Sequence, residues 1–540
     1  MTEIVFYNGT VFDGTRFLER GAHVRVRHGR IVDVGHGQDL GTAELVDLAG
    51  GTLLPGFIDA HVHPVHAGNV LRHCDLRDSR NASDYVEIVA AYARDHPEEE
   101  WIRGGGWSME AFPGGVPTRQ ALDAVVPDRP VFLPNRDGHG AWVNTKALQL
   151  AGIDRSTPDP ADGRIERDSS GEPSGMLQEG AAGLVSRLLP DLTEDDWYDA
   201  LLLAQTHLFS CGVTGWQDAI VGWDQGEDRV LETYLRAAGN GALQANVVGA
   251  LWWSRERGMD QLPELVHQRG VGQAERFRAT TIKMMLDGVA ENHTAAMLEP
   301  YLDHEGCATQ HAGLDFIDPQ ELPRFVSALD GAGFQVHVHA LGDRAVRNAL
   351  DAIEESQRVN GKSGRRHHLA HLQVVHPDDI PRFARLSATA NLQALWAAHE
   401  PQMDELTIPF LGERRSGWQY PFRSLQAAGT DLCAGSDWPV SSPNPLWAAH
   451  VAVNRRSPGG ADSDPFLPEQ ALDLPSFLAA YTSGSARVNG LDGVTGSIQE
   501  GLEADFAVVD ADLAHIADHE IGDAAVVQTW ARGEVVYGTE

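Results

Sequence analysis

Cysteine is scarce in this chain of 540 residues. The four cysteines lie far apart and form no C-x-x-C pair; they are Cys74, Cys211, Cys307 and Cys433. Isolated cysteines of this kind argue against a disulfide framework and against a cysteine-based structural zinc site. The pattern favours a protein of the reducing interior of the cell.

Positive charge is also in short supply. Lys and Arg together number 42 against 77 Asp and Glu, which gives a net charge of -35. Such a surface repels nucleic-acid backbones and anionic membranes. We therefore expect neither nucleic acid nor membrane as a partner.

Long apolar runs are missing as well. No run approaches the roughly 20 residues that a membrane-spanning helix needs. The segment from Met1 to Gly9 has no basic region followed by an apolar one, and its pattern predicts a strand and a turn. These features predict a cytoplasmic protein.

The length predicts more than one structural unit, a barrel of roughly 400 residues and a smaller domain. Residues 1–52 alternate short β-rich runs with turn signals, and similar runs return near the other end, at 506–509 and 526–537. Each set alone would leave an apolar face in water, so we expect them to form one small β-sandwich domain. The predicted boundaries are 1–55 and 489–540 for the sandwich, and 56–488 for the barrel.

From Phe57 onward the pattern changes to strands separated by helical stretches, which is typical of a (β/α)8 TIM barrel. Between His63 and Gly212 the spacing is irregular. The stretches 137–144 and 171–177 look like loops with polar and aromatic residues, suitable for a lid or a pocket wall. The fold class predicted is therefore α/β, a distorted barrel with an insertion.

Two histidines follow the apolar run Leu53–Ile58 and the pair Asp59-Ala60. His61 and His63 have the i, i+2 spacing of a strand, which places both imidazoles on one face about 6.6 Å apart. A shared metal explains this pair. In a chain with 24 histidines, however, one H-x-H pair is also explained by chance.

Other candidate ligands each end a short segment with strand character. They are Lys283, His339, His371 and Asp437. A parallel barrel gathers side chains from the ends of successive strands at its C-terminal face. This grouping favours a metal site over a chance pair.

At this point the chain resembles the amidohydrolase superfamily, and specifically the amidohydrolase-3 family, which includes N-substituted formamide deformylases. The motifs that carry the resemblance are PGFIDAHVH at 55–63, KMMLDG at 283–288, VHALGDRA at 338–345, HLQ at 371–373, GSDWPV at 435–440 and TGSIQEGLEADF at 495–506. The resemblance spans nearly the whole chain.

The resemblance implies a set of metal ligands. His61, His63 and Asp437 would hold a buried metal, His339 and His371 a more exposed one, and Lys283 would bridge both as a carbamate. Imidazole and carboxylate ligands suit zinc, so one or two Zn²⁺ ions per chain are expected. If Lys283 instead forms an ion pair inside the barrel, the site holds one metal. We expect the neighbouring His337, His367 and His368 to support the site or the fold.

Asp437 has a second predicted role as the catalytic residue. A bound metal makes hydroxide available at neutral pH. Asp437 would then take the proton from the attacking water and pass it to the leaving amine. Alone, an aspartate in Ser-Asp-Trp-Pro would be interpreted as a turn or helix-cap residue.

Four further residues are predicted to contact the substrate: His139, His293, Trp107 and Trp438. The histidines lie in polar or glycine-rich segments, although aromatic side chains such as these tryptophans are more often found in cores.

The predicted function is hydrolysis of a non-peptide C–N bond in a small-molecule amide, such as an N-substituted formamide. Hydrolysis of a cyclic amide, carbamate or ester is the alternative within enzymes, and a non-catalytic metal-bound regulatory or binding protein is the alternative outside them. The family resemblance also implies a homodimer.

Overall fold

A computed structural model describes residues 3–37, 43–77, 79, 81–222, 229–460 and 463–538. The chain begins with six strands: β1 (Ile4–Tyr7), β2 (Thr10–Val11), β3 (Ala22–Arg27), β4 (Arg30–His36), β5 (Glu44–Asp47) and β6 (Thr52–Pro55). Four of them form one sheet in the order β4-β3-β1-β5.

The barrel begins with β7 (Phe57–Val62), whose six residues are all buried. Its remaining strands are β14 (Val213–Val221), β15 (Asn246–Trp252), β16 (Phe277–Met285), β17 (Gln335–Ala340), β18 (His368–His371), β19 (Thr389–Leu392) and β20 (Leu432–Ala434). The eight strands lie in the order β20-β19-β18-β17-β16-β15-β14-β7, and each neighbouring pair is parallel. Helices connect successive strands, so the architecture is the predicted TIM-like α/β barrel.

The barrel is nearly closed between its last and first strands. Beyond β20, Asp437 N donates to His61 O at 2.7 Å, and His63 N donates to Trp438 O at 2.9 Å. Gly435 makes this approach possible, because a Cβ atom there would lie 2.5 Å from His61 N. The first and last strands of the barrel therefore meet where the candidate ligands lie.

Helices surround the barrel and the insertion. Within the described ranges they are α1 (Pro64–Leu71), α2 (Ala82–Asp95), α3 (Arg119–Asp123), α4 (Thr145–Ala151), α5 (Gly183–Ser186), α6 (Glu194–Ser210), α7 (Arg229–Gly239), α8 (Leu262–Val271), α9 (Leu322–Gly331), α10 (Asp343–Asn360), α11 (Ile380–Leu386), α12 (Pro401–Leu406), α13 (Ile408–Ser416), α14 (Phe422–Ala427), α15 (Pro445–Asn454), α16 (Leu474–Ala479) and α17 (Ser485–Val488). Across the part of the chain that the structure describes, no helix is both long enough and apolar enough to span a membrane.

The insertion between β7 and β14 is a sheet rather than a set of loops. Its strands are β8 (Cys74–Asp75), β9 (Ile102–Gly105), β10 (Val131–Pro134), β11 (Gly140–Val143), β12 (Gly163–Arg167) and β13 (Pro173–Glu179), in the order β12-β13-β11-β10-β9-β8. The loop-like interpretation of 137–144 and 171–177 was therefore wrong for β11 and β13. Both strands are buried almost throughout, so the alternation of polar and apolar residues that marks a half-exposed strand is missing.

The far end of the chain adds β21 (Phe506–Val509), β22 (Val526–Ala531) and β23 (Glu534–Tyr537). They join two early strands in a five-stranded sheet of order β2-β6-β21-β22-β23. Phe6 of the four-stranded sheet packs edge-on against Phe506 and Trp530, with ring centroids 5.1 and 5.0 Å apart. One buried apolar cluster thus joins the two terminal sheets.

Candidate metal centre

The candidate ligands lie at or near the carboxyl ends of the barrel strands. His61 is in β7 and His63 directly follows it, whereas Lys283, His339 and His371 belong to β16, β17 and β18. Asp437 follows β20 by three residues. The i, i+2 geometry of β7 and the parallel order of the strands therefore bring these side chains to the C-terminal face of the barrel.

Three of these side chains converge closely. Asp437 Oδ1 lies 2.9 Å from His63 Nε2 and 3.2 Å from His61 Nε2. One ligand atom from each residue falls within 4.8 Å of the other two. Two imidazole nitrogens and a carboxylate oxygen at this spacing form the three-ligand set that catalytic zinc sites use.

The local backbone holds Asp437 in an unusual conformation. Its φ is 58°, in the left-handed region that residues other than glycine rarely adopt. Asp59 stabilises this turn, because its buried carboxylate accepts hydrogen bonds from Ser436 N at 3.0 Å, His61 N at 3.1 Å and the Tyr481 hydroxyl at 3.1 Å. Burial raises the pKa of Asp59 to about 7 even so.

The electrostatics of the three-residue cluster favour the protonation states in which histidine and aspartate bind a metal. Burial lowers the pKa of His61 to about 3, with the nearby Lys283 acting in the same direction, so His61 is neutral at pH 7. Burial alone would raise the pKa of Asp437, but the contacts with His61 and His63 hold that pKa well below its usual range. A neutral imidazole and an ionised carboxylate are the forms that bind a metal.

Lys283 lies beside this cluster. It is one of three lysines in the chain and is 3% exposed, and its Nζ lies 3.4 Å from His61 Nε2. Burial lowers the pKa of the amine to about 8, although the charges of Asp437 and Asp218 act in the opposite direction. The buried amine therefore has a substantial neutral fraction near physiological pH.

His371 and His339 continue the cluster away from His63. His371 Nδ1 lies 3.9 Å from Asp437 Oδ2, and the ring centroid of His371 is 4.5 Å from that of His339. His339 Nδ1 contacts the buried carboxylate of Asp287 at 3.3 Å, which orients the opposite nitrogen of the ring away from Asp287. Carboxylate support of this kind is typical of metal-binding histidines.

The inserted sheet brings His139 to the same face. Its ring centroid lies 5.8 Å from that of His339, and its Nδ1 lies 2.9 Å from Glu179 Oε2. Thr294 Oγ1 donates to the other oxygen of Glu179 at 2.7 Å. Burial lowers the pKa of His139, but the Glu179 carboxylate outweighs burial and raises it to about 9, so His139 is a cation at pH 7.

The structure does not bring the other predicted substrate contacts together. Trp107 is fully buried in the core of the insertion, where its indole N–H donates to Leu133 O at 2.7 Å. The ring of His293 stacks on Tyr301, with centroids 5.0 Å apart. Trp438 is 1% exposed and stacks on His207, and its backbone carbonyl accepts a hydrogen bond from His63 N.

Unpaired polar atoms show that the donor set suits a bound cation. Among the described residues, Asp437 Oδ1 and both ring nitrogens of His371 are buried without a well-aligned hydrogen bond. Buried polar atoms are normally paired, and a missing ion is one explanation for such a group. The residues present therefore fit a divalent metal.

Sequence reasoning missed several residues that support the site. Asp59 and Asp287 lie within the family motifs at 55–63 and 283–288, but no role at the site was predicted for them. No role was predicted for Gln217 in β14 either. Gln217 is fully buried and contacts the histidines beneath the site. The available signal was the polar pair Gln217-Asp218 in the middle of a strand that is buried almost throughout.

The fold and the site define the class of protein: a parallel α/β barrel with a histidine and carboxylate cluster at the C-terminal ends of its strands, as in barrel hydrolases. The model of the amidohydrolase family matches residues 44–537, and the chain belongs to this family. The resemblance seen in the sequence is thereby confirmed. The chain is an enzyme of the amidohydrolase type, a hydrolase that acts on C–N bonds.

Relatives match over nearly the full chain. The protein LONG AFTER FAR-RED 3 of Arabidopsis thaliana is 30% identical, over 99% of this chain and 92% of its own length. The N-substituted formamide deformylase of Arthrobacter pascens is 29% identical, over 95% of this chain and 94% of its own. A solved structure, an uncharacterized metal-dependent hydrolase from Pyrococcus furiosus, matches with a TM-score of 0.70 and 26% identity, covering 94% of this chain and 99% of that one.

Proposed function

We propose that this protein is a metal-dependent hydrolase that cleaves the C–N bond of an N-substituted formamide or a closely related small amide. The observation that carries the proposal is the convergence of His61, His63 and Asp437 on one point at the C-terminal face of the barrel. Three protein ligands leave open the position that a catalytic metal needs for water or substrate.

We assign zinc as the metal and extend the site to two ions. His61, His63 and Asp437 would hold the buried ion, and His339 and His371 the second. Lys283 would bridge both as a carbamate, because an amine must become anionic before it can bind two cations. The buried position of Lys283, 3.4 Å from His61 Nε2, supports this assignment.

The chain's own residues supply the proton transfer. When bound, the metal provides Lewis acidity and lowers the pKa of water to about 7. Asp437 directs Oδ1 toward His61 and His63, which leaves Oδ2 to accept the proton of the attacking water. Asp437 then protonates the amine as the C–N bond breaks, so that water is consumed and a carboxylate and an amine are released.

His139 is proposed to contact the substrate carbonyl oxygen. Its ring lies beside that of His339, and Glu179 holds Nδ1 so that Nε2 is free to donate. A buried, pre-oriented cation stabilises the negative charge that develops on this oxygen. Thr294 fixes Glu179 in turn and connects the inserted sheet to the barrel.

The formyl substrate class rests on the deformylase relative of Arthrobacter pascens. We further propose that the protein is cytoplasmic and homodimeric, with domain boundaries at 55–56 and 488–489. We also propose that the two terminal sheets form the predicted sandwich, which the contact of Phe6 with Phe506 and Trp530 supports.

The test is a substrate screen combined with metal analysis. Protein purified without added metal or chelator is analysed for its metal content and incubated with N-alkyl formamides and the matching acetamides, and formate, acetate and free amine are measured. We expect metal-dependent release of formate and amine, with acetamides slower. Release from acetamides alone would retain the hydrolase and reject the formyl class, and a protein that binds no metal would reject the proposal.

A further inference from the structure

Beneath His61 lies a series of hydrogen-bonded, buried polar side chains that starts at Gln217. The proposed mechanism assigns no role to Gln217. We propose that Gln217 is a positioning residue that holds His61 in the tautomer whose Nε2 lone pair faces the metal site. The inference rests on the proposed metal site, and it assigns a function to the buried polar side chains beneath that site.

The orientation of the Gln217 amide follows from its neighbour Gln335. Gln335 Nε2 lies 2.8 Å from Arg366 O and 2.6 Å from Val488 O. Backbone carbonyls only accept, so this end of Gln335 must be its NH₂ group. Its Oε1 therefore faces Gln217, at 3.2 Å from Gln217 Nε2, which also donates to Asn489 Oδ1 at 2.7 Å.

The oxygen of Gln217 then fixes two imidazoles in sequence. Gln217 Oε1 lies 2.5 Å from His337 Nδ1, which must carry a hydrogen because the oxygen only accepts. His337 Nε2 lies 2.7 Å from His61 Nδ1. In a neutral His337, Nε2 is the acceptor and His61 Nδ1 is the donor, so the lone pair of His61 is on Nε2.

The opposite arrangement requires a charged His337. It would place an imidazolium in a fully buried position and would put the hydrogen of His61 on the nitrogen that faces His63 and Asp437. Burying a charge without a compensating partner is costly. The neutral arrangement is therefore the stable one.

A second chain of contacts, through residues of and next to β18 and β19, leads to the same orientation of the Gln217 amide. His371 N, which only donates, lies 2.6 Å from Gln393 Oε1. Gln393 Nε2 therefore donates to Asn391 Oδ1 at 3.0 Å. The remaining group of Asn391 is its NH₂, which donates to Ala60 O at 2.9 Å.

The same NH₂ group of Asn391 lies 3.2 Å from His368 Nδ1, which must accept. The hydrogen of His368 is then on Nε2, which donates to Gln217 Oε1 at 3.0 Å. Two chains with separate backbone anchors thus agree that Gln217 presents its oxygen to both histidines. The orientation of the Gln217 amide is therefore independent of either chain alone, and the tautomer of His61 follows from it through His337.

The first test needs no variant. Histidine is labelled with ¹⁵N in the wild-type protein without metal, and the imidazole nitrogen shifts of His61 and His337 are measured, with the signals assigned from His→Gln variants. We expect both residues to carry their hydrogen on Nδ1 and none on Nε2. A hydrogen on Nε2 of His61 would overturn the inference, whether or not the protein binds metal.

The second test measures metal affinity. Gln217→Met removes the acceptor, and Gln205→Met is the control, because Gln205 is also buried and also bonds through both ends of its amide, to Ala242 O and Gln244 N. In competition with a zinc chelator we expect Gln217→Met to weaken binding by about 10–100-fold, the range found when a residue that orients a metal ligand is lost.

The outcomes separate the two proposals. Wild-type protein that fails to bind zinc would reject the proposed function. Zinc binding that is equal in wild-type protein and Gln217→Met, or that weakens equally in both variants, would reject the role of Gln217. Thermal unfolding midpoints are compared in parallel to show that each variant is folded.

Discussion

His63 Nε2 and Asp437 Oδ1 lie 2.9 Å apart at the seam where the last strand of the barrel meets the first. The contact depends on the left-handed backbone of Asp437 and on the carboxylate of Asp59, which accepts from Ser436 N and His61 N. The contacts that bring the last strand of the barrel to the first therefore also place His63 and Asp437 at the candidate metal centre.

Asp437→Asn should abolish most of the turnover. An amide oxygen can still approach the metal but cannot carry the proton, so we expect kcat to fall by about 10²–10⁴-fold. Steady-state kinetics and metal content are measured together. The control is Asp378→Asn, a substitution of an exposed carboxylate. A variant that retains its metal and wild-type kcat would contradict the role of Asp437.

Removal of metal should lower stability as well as activity. A ligand at about 100 times its Kd stabilises the folded state by about 2.7 kcal/mol, so a chelator should lower the thermal unfolding midpoint and added zinc should restore it. In His63→Gln, where one ligand is lost, the chelator should have little effect. Equal midpoints of wild-type protein with and without chelator would argue against a resident metal.

Lys283→Met should reduce the bound metal from two equivalents to one or fewer, because no other predicted ligand bridges the two positions. Native mass spectrometry of the wild-type protein should show the added mass of one CO₂, which Lys283→Met lacks. Lys146→Met removes an exposed lysine and should retain both the metal and the added mass. An unmodified wild-type protein with one metal would return Lys283 to an ion-pair role.

His139 should make stability depend on pH. Its pKa in the folded protein is raised to about 9, so the stabilisation from its contact with Glu179 is fully present below its unfolded pKa of about 6.5 and is lost as the pH rises to about 9. The difference in unfolding free energy between wild-type protein and His139→Gln should shrink across this window. His515→Gln, at an exposed histidine, is the control. A difference that is constant with pH would show that His139 is neutral.

The terminal sheets should depend strongly on Phe6, which is fully buried between them. Phe6→Ala should cost about 3–5 kcal/mol, the range for loss of a buried aromatic side chain. Urea denaturation followed by tryptophan fluorescence gives the measurement. Val527→Ala changes a side chain of β22, in the other terminal sheet, that is 44% exposed, and it should lower the stability far less. Equal effects of the two substitutions would show that Phe6 is not part of a shared core.

The barrel and a grouping of candidate ligands at its strand ends could be predicted from local spacing, whereas the role of each ligand came from the family resemblance. His61 and His63 show the strand period directly, and the return of polar residues at strand ends predicts that Asp437 lies near them. The inserted sheet was not predictable in this way. Strands such as Gly140–Val143 are buried on both faces, so their sequences carry no alternation.

The supporting residues were beyond sequence reasoning for a different reason. The function of Gln217 or Asp287 depends on which atoms of distant strands lie opposite, and a single sequence does not contain that information. His337 was expected to support the site, but its link to His61 Nδ1 at 2.7 Å appears only in the folded barrel. The burial of Trp107 in the core of the insertion was likewise not readable from the sequence, where it follows three glycines.

The pairing of β6 with β21 has a consequence for how the chain is synthesised. Residues 52–55 form the antiparallel partners of residues 506–509, so β6 leaves the ribosome long before its partner exists. During that interval the strands of the insertion and of the barrel emerge, while one edge of β6 lacks its neighbour. Unpaired strand edges attract other chains. The rate of translation thus determines how long each nascent molecule is exposed to this hazard.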